Sequence, residues 1–343
     1  MSGTTHLKKG AMFWESFQNW RKKMISEKCK QLNKVFHSAE SALIISHIDP
    51  DGDSIGSMLC VGMLLTKLGV EVDFYSEDGV PKVYRFLPWA DQIKNKVDPK
   101  RGYDLVVTVD SSDIKRTGTK INLHELSDVI VNIDHHPDNT NYGTINCVKL
   151  SSSTAELVYT MAKTFGLVID ADMAKCLYVA LITDTGNFRY ENTSKESFLM
   201  AAELLETGIK TNEITTKIYD TRTVPMVKLF AAAMATLETS DNHKAAWVTV
   251  TQEILKKYDC RSEQLVGLVD HIRSIAEVEI ALLFREEADG TVKINFRSKD
   301  KVNVSEIAQK FGGGGHFKAS GAMLKEPLDS VKAKVIKEVL KHI

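Results

Sequence analysis

The sequence predicts an α/β protein: a parallel-sheet domain with helices on both faces, followed by a smaller α/β unit. Two observations carry this. Continuous β-branched runs at 42–46 (ALIIS), 105–109 (LVVTV) and 129–133 (VIVNI) alternate with helical stretches, as strands covered on both faces require. A second pattern starts at Asn242, with strand-like segments at 245–250, 279–284 and 292–296 and an Asp289-Gly290 hairpin signal between the last two.

Taken in order, residues 1–40 read as a helical extension. Phe13, Phe17, Trp20 and Met24 recur at helical spacing with basic residues on the other face. Such a stripe packs on its own domain or on a second subunit more often than on a membrane surface, and a homodimer is left open. Residues 41–215 form the first domain. The apolar run at 42–46 leads through a polar loop into a helix at 55–68, which Gly69 ends, and 71–75 resumes as a strand. Further helices are predicted at 155–165, 171–182 and 194–206. Residues 216–241 read as a helical linker and 242–343 as the second domain.

Composition narrows the classes. The chain has 343 residues, 43% hydrophobic and 26% charged, the balance of a soluble globular protein with room for two domains. Its formal net charge of −1 gives no general attraction to long polyanions, which disfavours a duplex-DNA binder. The apolar runs are too short to span a bilayer, and the N-terminus lacks a signal-peptide pattern. Cys29, Cys60, Cys147, Cys176 and Cys260 are scattered without a CxxC. That argues for reduced thiols in the cytoplasm and against a zinc–thiolate site.

The sharpest local feature is His47-Ile48-Asp49-Pro50-Asp51-Gly52-Asp53-Ser54, an imidazole and three carboxylates between a strand and a helix. Alone it also fits an acidic helix cap. Two more strands end in the same chemistry, with Asp110 after LVVTV and Asp134-His135-His136 after VIVNI. In an open parallel sheet such groups meet at the carboxyl ends of neighbouring strands. Thr183-Asp184-Thr185 adds a fourth cluster after an apolar helix. Carboxylates mixed with imidazole and no thiolate favour manganese or magnesium. Two ions about 3.5–4 Å apart can hold a hydroxide and stabilise both oxygens of an in-line phosphoryl displacement. In the second domain, Gly312-Gly313-Gly314-Gly315-His316 leaves backbone N–H groups open to a phosphate or a base. Arg297-Ser298-Lys299 supplies cations nearby.

In order, HIDPDGDSIGS, the strand-end Asp110, DHH at 134–136 and TDT at 183–185 resemble the four motifs of DHH phosphoesterases. The segment from Arg297 to Gly321, with GGGGH and ASG, is similar to the DHH-associated C-terminal domain. The likeness is strongest to the NrnA-like group of oligoribonucleases and 3′-phosphoadenosine 5′-phosphate phosphatases. The resemblance implies His47, Asp51, Asp53, Asp110, His135 and Asp184 as ligands of two divalent ions, most readily manganese. Asp110 would bridge them and His136 would face the scissile phosphate. It also implies Arg297, Gly313, Gly314, Gly315 and His316 as the hold on the rest of a short RNA or nucleotide substrate. Asp49 stands where Asn is usual in the group and is expected behind the ligands. A RecJ-type exonuclease shares the motifs but needs further nucleic-acid-binding domains. A non-catalytic nucleotide sensor would require a lost ligand, and every ligand position is filled.

Overall fold

The computed structural model describes residues 26–98, 100–265 and 267–343, with the backbone alone at 26–30, 263 and 316. The stripe of Phe13, Phe17, Trp20 and Met24 lies outside the described residues. Two compact units meet in sequence at Asp220 and Thr221.

In the first unit, β1 (Ser41–Ile45), β2 (Glu71–Tyr75), β3 (Ile93–Lys94), β4 (Leu105–Val109), β5 (Ile130–Asp134) and β6 (Ile145–Val148) form one parallel sheet. Its order is β3-β2-β1-β4-β5-β6, so the direction of winding reverses between β1 and β4. Strand alternation sends Ala42, Ile44, Leu105 and Val107 to one face and Leu43, Ile45 and Val106 to the other. The first face packs under helices α2 (Gly52–Lys67), α4 (Thr154–Thr164) and α5 (Ala171–Asp184); helix α1 (Ser26–Ser38) adds Leu32 and Phe36. The second face is closed by the short helix α3 (Leu123–Leu126) and by Tyr103. Helices α6 (Lys195–Leu205) and α7 (Thr211–Tyr219) complete the unit. Strands β3 and β6 escaped the sequence reading: one is two residues long, and the other (INCV) is a half-exposed edge without a buried run.

The N-terminus of α2 shows why its sequence reads as it does. Asp51 caps it by accepting from the Ser54 N–H at 3.0 Å. Gly52 and Gly56 then let it lie against α5. A Cβ on Gly52 would sit 2.5 Å from the Thr183 side chain, and one on Gly56 would sit 2.4 Å from the Cys176 carbonyl. This close approach is what carries Asp184, at the far end of α5, to the loop that follows β1.

The second unit opens with α8 (Val224–Met234), so the two helices of the join belong one to each unit. Its mixed sheet runs β11 (Gly314–His316), β12 (Ala319–Leu324), β10 (Val292–Ser298), β9 (Ile280–Glu286), β8 (Ala245–Val250), β7 (Glu238–Thr239). Only β8 and β9 pair in parallel. Gly290, at φ +80°, turns the β9–β10 hairpin where Asp289-Gly290 predicts it. Helices α9 (Gln252–Lys257) and α10 (Leu268–Arg273) flank β8 and β9, and α11 (Val304–Gln309) and α12 (Leu328–Val339) follow. The glycine run is not an irregular loop: Gly314 to His316 pair antiparallel with β12.

Candidate metal centre

Every acidic cluster of the first unit reaches the carboxyl edge of its sheet, at the point where the strand order reverses. His47 follows β1, Asp110 follows β4, His135 and His136 follow β5, and Asp184 ends α5. Their ligand atoms fall into three overlapping groups: His47, Asp51 and Asp110; Asp53, His135 and Asp184; and Asp110, His135 and His136. Within each group all the atoms lie within 4.8 Å of one another.

Asp110 belongs to two of the three. Its Oδ2 lies 3.6 Å from His47 Nε2, and its Oδ1 lies 3.5 Å from His135 Nε2, so the two oxygens face two different groups. The backbone reaches this arrangement with Asp110 at φ +56°, a conformation that L residues rarely adopt and that concentrates at functional sites. Thr154 Oγ1 donates to Asp110 Oδ1 at 3.0 Å and fixes the carboxylate plane.

The imidazoles are set by their other nitrogen. His47 Nδ1 donates to the Ile48 carbonyl at 2.7 Å and His135 Nδ1 to the Ser151 carbonyl at 3.0 Å, which leaves each Nε2 bare and turned inward. A carbonyl behind each ring is the usual support of a metal-ligating histidine. His135 Nε2 stands 3.9 Å from Asp53 Oδ2 and 3.6 Å from Asp184 Oδ2. Asp53 is held by the N-terminus of α4: Thr154 N–H donates to Oδ2 at 2.6 Å and Ala155 N–H to Oδ1 at 3.1 Å. Ser57 Oγ adds a third donor at 3.0 Å. Asn192 Nδ2 steadies the Asp184 end through its carbonyl at 3.0 Å.

The electrostatics call for a cation. Burial raises Asp53 well above the usual carboxylate range, and the charges of Asp110, Asp184 and Asp51 push the same way. Burial likewise pushes Asp184 up to about 7. For Asp110 burial works against ionisation, but His47, His135 and His136 outweigh it and hold the group far down. Among the described residues no lysine or arginine forms an ion pair with Asp51, Asp53, Asp110 or Asp184. Carboxylates crowded in this way are costly to keep ionised together at neutral pH unless a metal neutralises them. Nitrogen and oxygen donors without sulfur fit a hard divalent ion. Cys60 and Cys176 lie apart, in the apolar core, where burial raises their thiols.

The remaining residues singled out from sequence fall in different places. His136 belongs to the cluster, with Nδ1 2.7 Å from Asp134 Oδ1 and 3.6 Å from Asp110 Oδ1. Asp49 does not: it is exposed, at φ +53°, and its N–H donates to Asp78 Oδ2 at 2.8 Å. In the second unit, Arg297 Nη1 donates to the Phe296 carbonyl at 3.1 Å, and its Nε lies 3.6 Å from Asp270. Lys299 is not a free cation, because its Nζ caps the carbonyls of Ile275 and Ala276. Gly313 and Gly315 are demanded by packing: a Cβ would meet the Gly321 carbonyl at 2.0 Å and the Ala319 carbonyl at 2.6 Å respectively. A Cβ on Gly314 would meet nothing within 4 Å, so that side of the strand is open. The His316 side chain lies outside the described residues. Sequence reasoning named Asp134 only as part of the strand-end run and missed Thr154, Ser151, Asn139 and Asn192; a Ser-Ser-Ser-Thr run opening a helix was the one local signal for part of this set.

A parallel sheet whose switch point gathers imidazoles and carboxylates around one shared aspartate defines a metal-dependent phosphoesterase. The family model for the DHH family, N-terminal domain, matches residues 41–181, and that for the DHHA1 domain matches residues 242–343. The chain belongs to the DHH family of phosphoesterases. Among its relatives, the bifunctional oligoribonuclease and PAP phosphatase NrnA of Thermus thermophilus is 31% identical over 92% of this chain and 95% of its own. The enzyme of the same name from Bacillus subtilis is 27% identical over 83% of this chain and 90% of its own. An exopolyphosphatase-related protein from Bacteroides fragilis superposes with a TM-score of 0.85 at 26% identity, covering 92% of this chain and 96% of that one. RecJ of Thermus thermophilus, solved with Mn2+, shares the fold at a TM-score of 0.52 and 15% identity, and only 54% of its length is covered. No helix among the described residues is long and apolar enough to cross a membrane.

Proposed function

We propose that this enzyme hydrolyses very short oligoribonucleotides, linear dinucleotides included, to mononucleotides, and 3′-phosphoadenosine 5′-phosphate beside them. The observation that carries the reading is the placement of Asp110, whose two oxygens address two separate imidazole–carboxylate groups. His47, Asp51 and Asp110 would hold one divalent ion, and Asp53, His135, Asp184 and Asp110 a second, with manganese the first choice. Such a pair supplies Lewis acidity to the phosphoryl oxygens and lowers the pKa of the attacking water. The chain's own residues do the rest. His136, its ring set by the bond from Nδ1 to Asp134, would face the scissile phosphate. Gly314, open on its Cβ side, with Gly313, Gly315, His316 and Arg297, would hold the remainder of the nucleotide.

The choice of substrate is supported by the names of the relatives that match nearly end to end, and by the chain's own charge. A formal net charge of −1 gives no basic track for long strands, so substrates of roughly two to five nucleotides are favoured. The deciding assay is turnover, with manganese, of labelled RNAs of two, three, five and twenty-four nucleotides beside 3′-phosphoadenosine 5′-phosphate. The rate should fall with length. Equal or faster degradation of the twenty-four-nucleotide strand would favour a RecJ-like exonuclease instead.

A further inference from the structure

We propose that Asn139 is a positioning residue for the hydrolytic reaction, holding the Asp134 carboxylate so that it in turn fixes the ring of His136. The inference rests on the reading of this site as the hydrolytic centre with His136 facing the phosphate.

The arrangement is a chain of hydrogen bonds that ends on His136. Asp134 is fully buried at the end of β5; its Oδ1 accepts from His136 Nδ1 at 2.7 Å and its Oδ2 from Asn139 Nδ2 at 2.6 Å. A carboxylate only accepts, so the proton sits on His136 Nδ1 and the ring orientation is fixed by that bond. The orientation of Asn139 is equally determined. Its Oδ1 is occupied by the Asn141 N–H at 2.7 Å, so the amide nitrogen has to turn toward Asp134.

That nitrogen also reaches Asn132 Oδ1 at 2.8 Å and the Ser111 carbonyl at 3.3 Å. Asn132 is fully buried and its own amide donates to Thr108 Oγ1, the Ser111 carbonyl and the Tyr142 hydroxyl. Tyr142 closes the network on Thr108 Oγ1 at 2.7 Å. The loop bearing Asn139 is clipped to the loop after Asp110, where Thr140 N–H donates to the Ser112 carbonyl at 2.8 Å. Asn139 therefore ties together the ends of β4 and β5, which carry Asp110 and His136. Among the described residues, the side chains bonded to the Asp134 carboxylate are His136 and Asn139; without Asn139 that carboxylate can turn and take the imidazole with it. Groups standing behind catalytic ligands in this way typically change activity by about tenfold or more when lost.

Two substitutions separate positioning from loop building. Asn139→Asp is isosteric and keeps the acceptor for the Asn141 N–H, so the turn survives, but it sets an oxygen against Asp134. Asn139→Ala removes both bonds. For positioning, dinucleotide kcat falls about tenfold in Asn139→Ala and further in Asn139→Asp, with KM and manganese content within twofold of the parent. A readout independent of turnover is the far-downfield proton of His136 Nδ1 in metal-free protein, assigned by its loss in His136→Asn; it should shift or vanish in both Asn139 variants. Parental kcat in both variants, a better kcat for Asn139→Asp than for Asn139→Ala, or a fall accounted for by lost metal would overturn the proposal. Full turnover by His136→Asn would instead remove the reading of the site on which it rests.

Discussion

Stripped of metal, this protein should lose stability as the pH rises from 5 to 8, the reverse of the usual behaviour of an acid-rich fold. The sign follows from the groups around Asp110. A carboxyl whose pKa is raised on folding binds more protons in the native state, so unfolding becomes easier as pH climbs from the unfolded value through the folded one. Burial pushes Asp184 from 3.8 to about 7, a difference worth on the order of 4 kcal/mol once the pH exceeds both values. Asp53 is raised for the same reason, by burial and then by Asp110. His47 and His135 are raised against their burial, His47 chiefly by Asp110 and His135 by Asp184; their stabilisation is present below about 6.5 and is lost above. Asp110 is depressed, and its contribution disappears only in acid, below this window. The assay is calorimetry of chelator-treated protein at pH 5, 6, 7 and 8, with Asp184→Asn alongside. At pH 8 the variant should melt higher than metal-free parent, by a few kcal/mol, and in manganese it should melt lower. A parent whose metal-free stability rises with pH, or a variant no more stable than the parent without metal at pH 8, would refute the electrostatic account.

Three further outcomes are expected. Gly56→Ala puts a Cβ 2.4 Å from the Cys176 carbonyl and must push α2 off α5, costing about 1–3 kcal/mol in thermal or urea unfolding and weakening manganese binding. Arg297→Ala should lower kcat/KM for a dinucleotide about tenfold to a hundredfold, as loss of a charge-assisted bond of roughly 1.5–3 kcal/mol implies. The same variant should leave bis-p-nitrophenyl phosphate hydrolysis unchanged, which a two-substrate comparison reads directly. Thr154→Val removes the hydroxyl donor to Asp110 while keeping the N–H to Asp53, so manganese affinity should fall about tenfold with little change in melting temperature.

How much of this was legible in the sequence depends on how local each signal is. The strand runs ALIIS, LVVTV and VIVNI are buried on both faces, and continuous apolar runs announce such strands. The edge strands β3 and β6 carry no such run. The candidate ligand residues stand out because the chain concentrates them in short motifs at strand ends. What holds them does not stand out. The bonds from Thr154 and Ala155 to Asp53 span about a hundred residues, and no spacing rule predicts them. Asp134, next to His135 and His136 in the chain, reads as one more acid of the motif; its role as the partner of His136 appears only when the β5 terminus buries it. Lys299 looked like a phosphate contact because its partners are backbone carbonyls, which composition cannot show. The glycine run was recognisable, but its division into Gly313 and Gly315, required by packing on β12, and Gly312 and Gly314, where a Cβ would meet nothing, depends on strand pairing.

The central claim is that Asp110 joins two metal positions into one hydrolytic centre. Titration of manganese into chelator-stripped protein, followed by turnover of a labelled diribonucleotide, tests it most directly. The account predicts no turnover without metal, a rise that saturates at two equivalents per chain, and neither turnover nor two-equivalent binding in folded Asp110→Ala. Turnover that persists in the stripped protein, or that saturates at one equivalent, would contradict it.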